Sequence, residues 1–228
     1  MTRQLLESEA NTVLAACRSP DTAEKLHALK ATSKGTLHIV QLDVDDESSI
    51  KDAAEKAKSL VGPNGIDYLV NNAAISEGDD YAFSFAVERL NRYFHTNVIG
   101  PVLVSQNFLP LVEKSKKKTI VNMSSGLGCI SFDIGPKYAS YSLTKAALNM
   151  MAYKQARERP DLTILLIDPG WVKTDMGGED AEITLQESVP GILKVITTST
   201  PASSGKYYRY DGTEMGRQVY QPRKRSSG

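Results

Sequence analysis

The chain has 228 residues, 41% of them hydrophobic and 24% charged, which suits one domain with a full core and excludes wholesale disorder. Its 27 basic and 27 acidic residues cancel, so no net charge draws it to nucleic acid or to an anionic membrane. Cys17 and Cys129 are too few for a disulfide framework, no apolar run reaches the roughly 18 residues of a spanning helix, and Glu7 and Glu9 break any signal-peptide core; a cytoplasmic location is expected.

The first apolar run, TVLAAC at 12–17, predicts a strand. Ser19 and Pro20 then open a helix to about Ala31, with proline in its first turn. LHIVQL at 37–42 is a second strand, followed by a helix from Asp45 to Lys58 whose acids come first and lysines later, as the helix dipole favours. IDYLVN at 66–71 is a third strand and 81–113 a long helical stretch. TIVNMS at 119–124, a helix over 138–158, LTILLID at 162–168, a helix over 184–198 and KYYRY at 206–210 complete the series. The tail from about 215 to 228, ending QPRKRSSG, reads as frayed. Most of the strand runs are unbroken, as in strands covered on both faces. The alternation predicts an α/β fold: one three-layered, Rossmann-like domain over 1–228, with a doubly wound, mostly parallel sheet.

Ligands of such sheets lie beyond the carboxyl ends of the strands. The residues there are Cys17-Arg18, Asp43-Val44, Asn71-Asn72-Ala73-Ala74, Ser124-Ser125-Gly126 and Asp168-Pro169-Gly170. Small and polar groups thus gather on one rim, which favours a site.

Tyr141 and Lys145 stand four apart at the start of good helix sequence, so phenol and ammonium share a face. A nearby cation is expected to lower the phenol's pKa and fit it for proton transfer to or from a carbonyl oxygen. A second pair of this spacing, Tyr220 and Lys224, contains Pro222 and is no helical pair. Ser124 and Ser125 end a strand and could bind the same oxygen. Gly126-Leu-Gly128 imitates a dinucleotide turn, but no helix follows it, and it reads as the loop carrying the serine. Asn97 shares the inward face of helix 81–113 with Leu90, Phe94 and Pro101, a buried amide that needs partners. Pro101 predicts a kink there. Lys114 and Lys116 to Lys118 read as a solvated helix end, and with Arg223-Lys224-Arg225 they predict no nucleic-acid partner.

Taken in order, Asp43-Val44, Asn71-Asn72-Ala73-Ala74, Asn97, Ser125, Tyr141-x-x-x-Lys145 and Pro169-Gly170 resemble the short-chain dehydrogenase/reductase family, in particular its small carbonyl-reductase-like members of the C-factor and sniffer type. The resemblance implies reversible hydride transfer between a nicotinamide and a small carbonyl or alcohol. It implies Tyr141 as general acid/base, Lys145 as the lysine that tunes it and holds the nicotinamide ribose, Ser125 as the serine that positions the substrate oxygen, and Asn97 as the holder of a relay water. Asp43 and Val44 match positions beside the adenine; Asn71, Asn72, Ala73 and Ala74 match the adenine ribose and nicotinamide side. Pro169, Gly170, Val172 and Thr174 match the segment over the nicotinamide. Ala74 replaces a common glycine, and the serine-to-tyrosine interval is about three residues longer than usual. Arg18, where NAD-preferring relatives carry an acid, implies NADP in preference to NAD, since it can pair with a 2′-phosphate. No metal is implied. A homo-dimer or homo-tetramer through helices 81–113 and 138–158 is.

The family's opening strand and its glycine-rich, pyrophosphate-binding turn have no counterpart, because Met1 to Glu7 already resembles the end of the first helix. In the doubly wound order that strand lies between those at 12–17 and 66–71. Each lost buried hydrogen bond costs on the order of 1 kcal/mol, against a total stability of about 5–15 kcal/mol. Either the flanking strands close the gap, another segment fills it, or the sequence is a shortened form of a longer one. The last is preferred, because the other motifs are intact. A shortened chain could also serve as a catalytically inactive, dimerising interaction protein.

Overall fold

The computed structural model describes residues 1–132 and 134–215. The tail, with Tyr220, Lys224 and the Arg223-Lys224-Arg225 run, lies outside the described residues apart from its first position, Met215.

Seven strands and seven α-helices are described. A short helix α1 (Thr2–Leu5) precedes β1 (Thr12–Cys17), and α2 (Glu24–Thr32) leads to β2 (Thr36–Gln41). Then come α3 (Glu47–Val61), β3 (Tyr68–Asn71), α4 (Val87–Phe94), α5 (Gly100–Val112) and β4 (Thr119–Met123). The chain continues with α6 (Ala139–Glu158), β5 (Thr163–Asp168), α7 (Leu185–Thr198), β6 (Lys206–Arg209) and β7 (Glu214–Met215). Each main strand falls within two residues of its predicted start. The added β7 folds back antiparallel on β6, a pairing too short to show in the pattern.

Strand alternation sorts the apolar residues into two layers. Ile120, Ile164 and Leu166 face one side, with α5 and α6, and Val40 and Leu69 pack with α3 and α5 there. Val121, Met123, Leu165 and Ile167 face α7 on the other. Leu37 and Ala15 face Leu6 and, from α2, Leu26 and Leu29. Helices therefore cover both faces, and the fold is Rossmann-like.

The sheet, however, is in two pieces. β1 and β2 pair in parallel from Thr12↔Thr36 to Cys17↔Gln41. The second piece runs β3-β4-β5-β6-β7. Among the described residues no strand pairs with the other edge of β1 or of β3, so the flanking strands have not closed on each other. Burial follows: every residue of β4 and β5 is buried, whereas β1 and β3 hold one buried residue each.

Local chemistry sets the helix ends. The Asp46 carboxylate accepts from the amides of Ser48 and Ser49 and caps α3. Thr184 and Glu187 form a reciprocal capping box on α7. The expected helix over 81–113 requires correction, since regular helix begins at Val87 and is interrupted by a π-turn over His95–Ile99. Residues 81–86 make a single turn because the chain just before them is tied elsewhere: Asp79 pairs with Lys137 at 2.5 Å and Asp80 holds Ser140. The distortion expected at Pro101 lies just ahead of it. The ring cannot accept helical geometry against the carbonyl four residues back, which is that of Asn97.

Candidate active site

The site lies where β4 and β5 end beside the first turns of α6. Ser124 and Ser125 leave β4 together but turn opposite ways. Ser124, buried, donates to Asn149 Oδ1 at 2.5 Å. The Ser125 hydroxyl accepts from the Leu127 amide at 3.3 Å and lies close enough to the Tyr141 phenol to favour its ionised form, so the second serine is the one beside the tyrosine. The glycines of this loop allow close approach to α6, since a Cβ on Gly128 would stand 2.8 Å from the Lys145 backbone. Gly126–Gly128 forms a single 3₁₀ turn rather than opening a helix.

Lys145 is 2% exposed, its ammonium donating to the Met123 carbonyl at 2.9 Å and lying 5.4 Å from the centre of the Tyr141 ring. Burial brings its pKa down to about 8. The expectation that the lysine depresses the phenol is corrected by the structure. Tyr141 is pushed well above its ordinary range, first by burial and then by the charge of Asp168, with the Ser125 hydroxyl opposing. Four-residue spacing gave proximity but not depth. In a dry pocket the cost of forming phenolate outweighs the cation.

Asn97 is fully buried and completely engaged. Its Oδ1 accepts from the Ile75 amide at 2.8 Å, and its Nδ2 donates to the Ile75 carbonyl at 2.9 Å and to Thr144 Oγ1 at 3.1 Å. Thr144 in turn donates to the carbonyl of Tyr141 at 2.7 Å. The amide thus ties the loop after β3 to α6 next to the tyrosine.

The start of α6 is held by a residue that sequence reasoning missed. Buried Asp80 accepts from the Ser140 amide at 3.1 Å and from the Ser140 hydroxyl, and Arg89 stands 3.9 Å away. Tyr138 caps the helix at φ 60°. Asn122 was also missed. It is fully buried, its Oδ1 accepting from Asn71 at 2.9 Å while its Nδ2 has no partner among the described residues. A polar residue inside TIVNM was the available signal.

The other expected residues divide. Asn71 turns inward to Ser105 and Asn122, so its side chain is not on the rim. Asn72 and Ala73 are exposed and Ala74 half-buried. Gly170, at φ 77°, follows Pro169 and is the turn only glycine fits, since a Cβ would meet Ile183 at 2.4 Å. Val172 bridges to Ile183, and exposed Thr174 donates to the Val172 carbonyl at 3.2 Å. Val44 packs against Gly100. Arg18 and Asp43 share a separate cavity of about 510 Å³ with Asp46, Ser48, Ser49, Asp52 and Lys56, at the ends of β1 and β2. Among the described residues no group of His, Cys, Asp and Glu could hold a metal ion, and no helix is long and apolar enough to cross a membrane.

Comparison with known proteins identifies the family. An uncharacterized oxidoreductase of Schizosaccharomyces pombe is 31% identical over 232 residues, which cover 93% of this chain and 90% of that one. The C-signal protein of Myxococcus xanthus is 35% identical over 158 residues, 66% of this chain and 92% of its own. The crystal structure of the NADPH-bound carbonyl reductase from chicken fatty liver superposes with a TM-score of 0.85 at 32% identity, covering 95% of this chain and 92% of that one. The sequence profile described as short chain dehydrogenase matches residues 1–183. With most of its length so matched, this chain belongs to the short-chain dehydrogenase family of oxidoreductases.

Proposed function

We propose that the chain is an NADP(H)-linked reductase of small carbonyl compounds, working reversibly on the corresponding alcohols. The observation that carries the reading is buried Lys145, its ammonium 5.4 Å from the centre of the Tyr141 ring, with Ser125 beside the phenol. Ser125 donates to the carbonyl oxygen of the substrate and orients it. Tyr141 gives its phenolic proton to that oxygen as negative charge develops there, and takes it back in the reverse direction. When bound, the nicotinamide supplies the hydride that reaches the carbonyl carbon. Lys145 uses one donor on Met123 and keeps the others for the nicotinamide ribose. Asn97, through Thr144, fixes the first turn of α6, and Pro101 frees its carbonyl for a water on the proton path. Asn72, Ala73, Ala74, Pro169, Gly170, Val172 and Thr174 form the walls around the nicotinamide end.

The residues fit the dinucleotide at its two ends. The cavity of Arg18 and Asp43 suits the adenosine end, with the guanidinium placed for a 2′-phosphate and Asp43 and Val44 beside the base. No described residue is assigned to the pyrophosphate. The coalescence of Ser125, Tyr141 and Lys145 in one site lends no support to the non-catalytic alternative. The assembly that accompanies this reading is a homo-oligomer through α5 and α6, and α6 carries exposed Leu143 and Met150 on one stripe.

Isothermal titration tests the reading. Micromolar binding of NADPH, weakened about tenfold in Arg18→Gln, is expected. Oxidation of NADPH by a panel of small aldehydes and ketones should accompany it. Absence of both binding and turnover overturns it.

A further inference from the structure

One face of α6 holds the end of β4 residue by residue. Tyr141, Lys145 and Asn149 follow at intervals of four and share that face. Lys145 takes the Met123 carbonyl at 2.9 Å. One turn further on, the Asn149 side chain meets both ends of the serine loop. Its Oδ1 accepts from Ser124 Oγ at 2.5 Å, and its Nδ2 donates to the Gly128 carbonyl at 3.3 Å. Chemistry fixes the direction of these bonds. A carbonyl only accepts, so the amide nitrogen faces Gly128, the amide oxygen faces Ser124, and the Ser124 hydroxyl must donate. The reaction read above gives Asn149 no part.

We propose that Asn149 is a positioning residue for that reaction, an amide clamp that closes the loop from Ser124 to Gly128 and so sets the Ser125 hydroxyl. The loop is braced from within, the Gly128 amide donating to the Ser125 carbonyl at 2.8 Å and the Leu127 amide to the Ser125 hydroxyl at 3.3 Å. These bonds fix its shape but not its place on α6. The clamp supplies the place, gripping the residue before Ser125 and the residue where the loop touches the helix. It also divides the labour of the tandem serines. Ser124 spends its proton on the amide, and the hydroxyl offered to the substrate oxygen is that of Ser125.

Other contacts hold the layers on either side. The Ser124 amide donates to the Ile167 carbonyl at 2.7 Å and keeps the end of β4 in the sheet. Buried Leu148 and Ala152 pack α6 into the core, and Ala152 shares a cluster with Ile120, Ile164 and Leu166. Removing the amide therefore frees the loop while strand and helix stay where they are. A shift of a few tenths of an ångström is enough to matter, because a donor stabilises developing charge best at roughly 2.7–3.1 Å.

Because the proposal rests on the reductase reading, its test has one arm without cofactor and one with it. In the full chain alone, amide hydrogen exchange is followed by NMR in the wild type, Asn149→Ala and Asn149→Asp. The aspartate keeps an acceptor for Ser124 but loses the donor to Gly128, and it serves if the alanine variant does not fold. The amides of Leu127, Gly128 and Cys129 are expected to exchange about tenfold faster or more, while those of β4 and β5 keep their protection. Unchanged exchange in the loop overturns the proposal. In the second arm, NADPH-linked reduction of a small aldehyde should show kcat lowered about tenfold or more in Asn149→Ala with KM within about twofold. The same substitution added to Ser125→Ala should lower kcat no further, since the amide acts through that serine. An equal fall in both backgrounds would make the role structural and overturns the proposal. A wild type without turnover overturns the reductase reading instead, and the exchange arm alone then decides the clamp.

Discussion

The side-chain amide of Asn97 donates to the hydroxyl of Thr144 across 3.1 Å, joining the π-turn between α4 and α5 to α6 one residue before Lys145. The same hydroxyl donates to the carbonyl of Tyr141, so one oxygen links the amide to the site. Thr144→Val keeps the shape and removes both bonds. It should cost about 1–3 kcal/mol in chemical denaturation, because the Asn97 donor loses one acceptor in a dry interior. Thr144→Ser should cost less than half as much. Equal losses in the two variants would place the cost in packing instead.

Lys145 makes stability depend on pH in a predictable direction. Its folded pKa of about 8 lies below the ordinary 10.5, so between these values the unfolded chain holds the extra proton. Stability from this group therefore rises as pH increases through 8 and levels off near 10.5, a gain of about 3 kcal/mol at most. Urea midpoints of wild type and Lys145→Met, compared at intervals from pH 7 to about 10, should show a rising difference in favour of the wild type. A flat difference would mean that Lys145 keeps its ordinary pKa.

Asp80 caps the helix that carries Tyr141. Asp80→Ala leaves the Ser140 amide and hydroxyl without their acceptor in a buried place. A loss of about 1–2 kcal/mol is expected, with a fall in turnover larger than any change in KM, since the first turn of α6 frays. Asp80→Asn should recover most of the stability. Denaturation and steady-state kinetics on the same preparations decide it.

On α6, Leu143 and Met150 lie seven residues apart, hence on one stripe, and both are exposed. If this stripe joins subunits, Met150→Glu should give a monomer by light scattering while leaving the helical circular dichroism intact. A wild-type chain that is already monomeric would remove the assembly from the proposed reading.

The layers were legible because β-rich apolar runs alternate with helices, and TILLID needs no tertiary information to read as a buried strand. The Tyr141–Lys145 pair was legible because helical geometry fixes which side chains share a face. What the pattern lacked was depth and long-range hydrogen bonding. Asp80 drew no notice, since nothing local shows that it will cap a helix 60 residues away, and Asp168 was legible only as the end of a strand on the rim. The start of α4 was misplaced for the same reason, as Tyr81 to Ala86 has acceptable helix sequence but is anchored through Asp79 and Asp80 to α6. Asn71 looked like a rim residue because it ends a strand, yet its alternation points it at Ser105.

The divided sheet has a consequence for cooperativity. β1 and β2, with α2 and α3, meet the remaining strands through side chains, chiefly where α3 packs on α5, and among the described residues through no ladder of main-chain hydrogen bonds. The half that carries Arg18 and the half that carries Lys145 can therefore melt as separate foldons, the first at lower free energy. A ligand long enough to touch both would act as a staple, stabilising the pair by mass action and merging two calorimetric transitions into one. The break in the sheet thus turns occupancy of the site into a property of the whole fold.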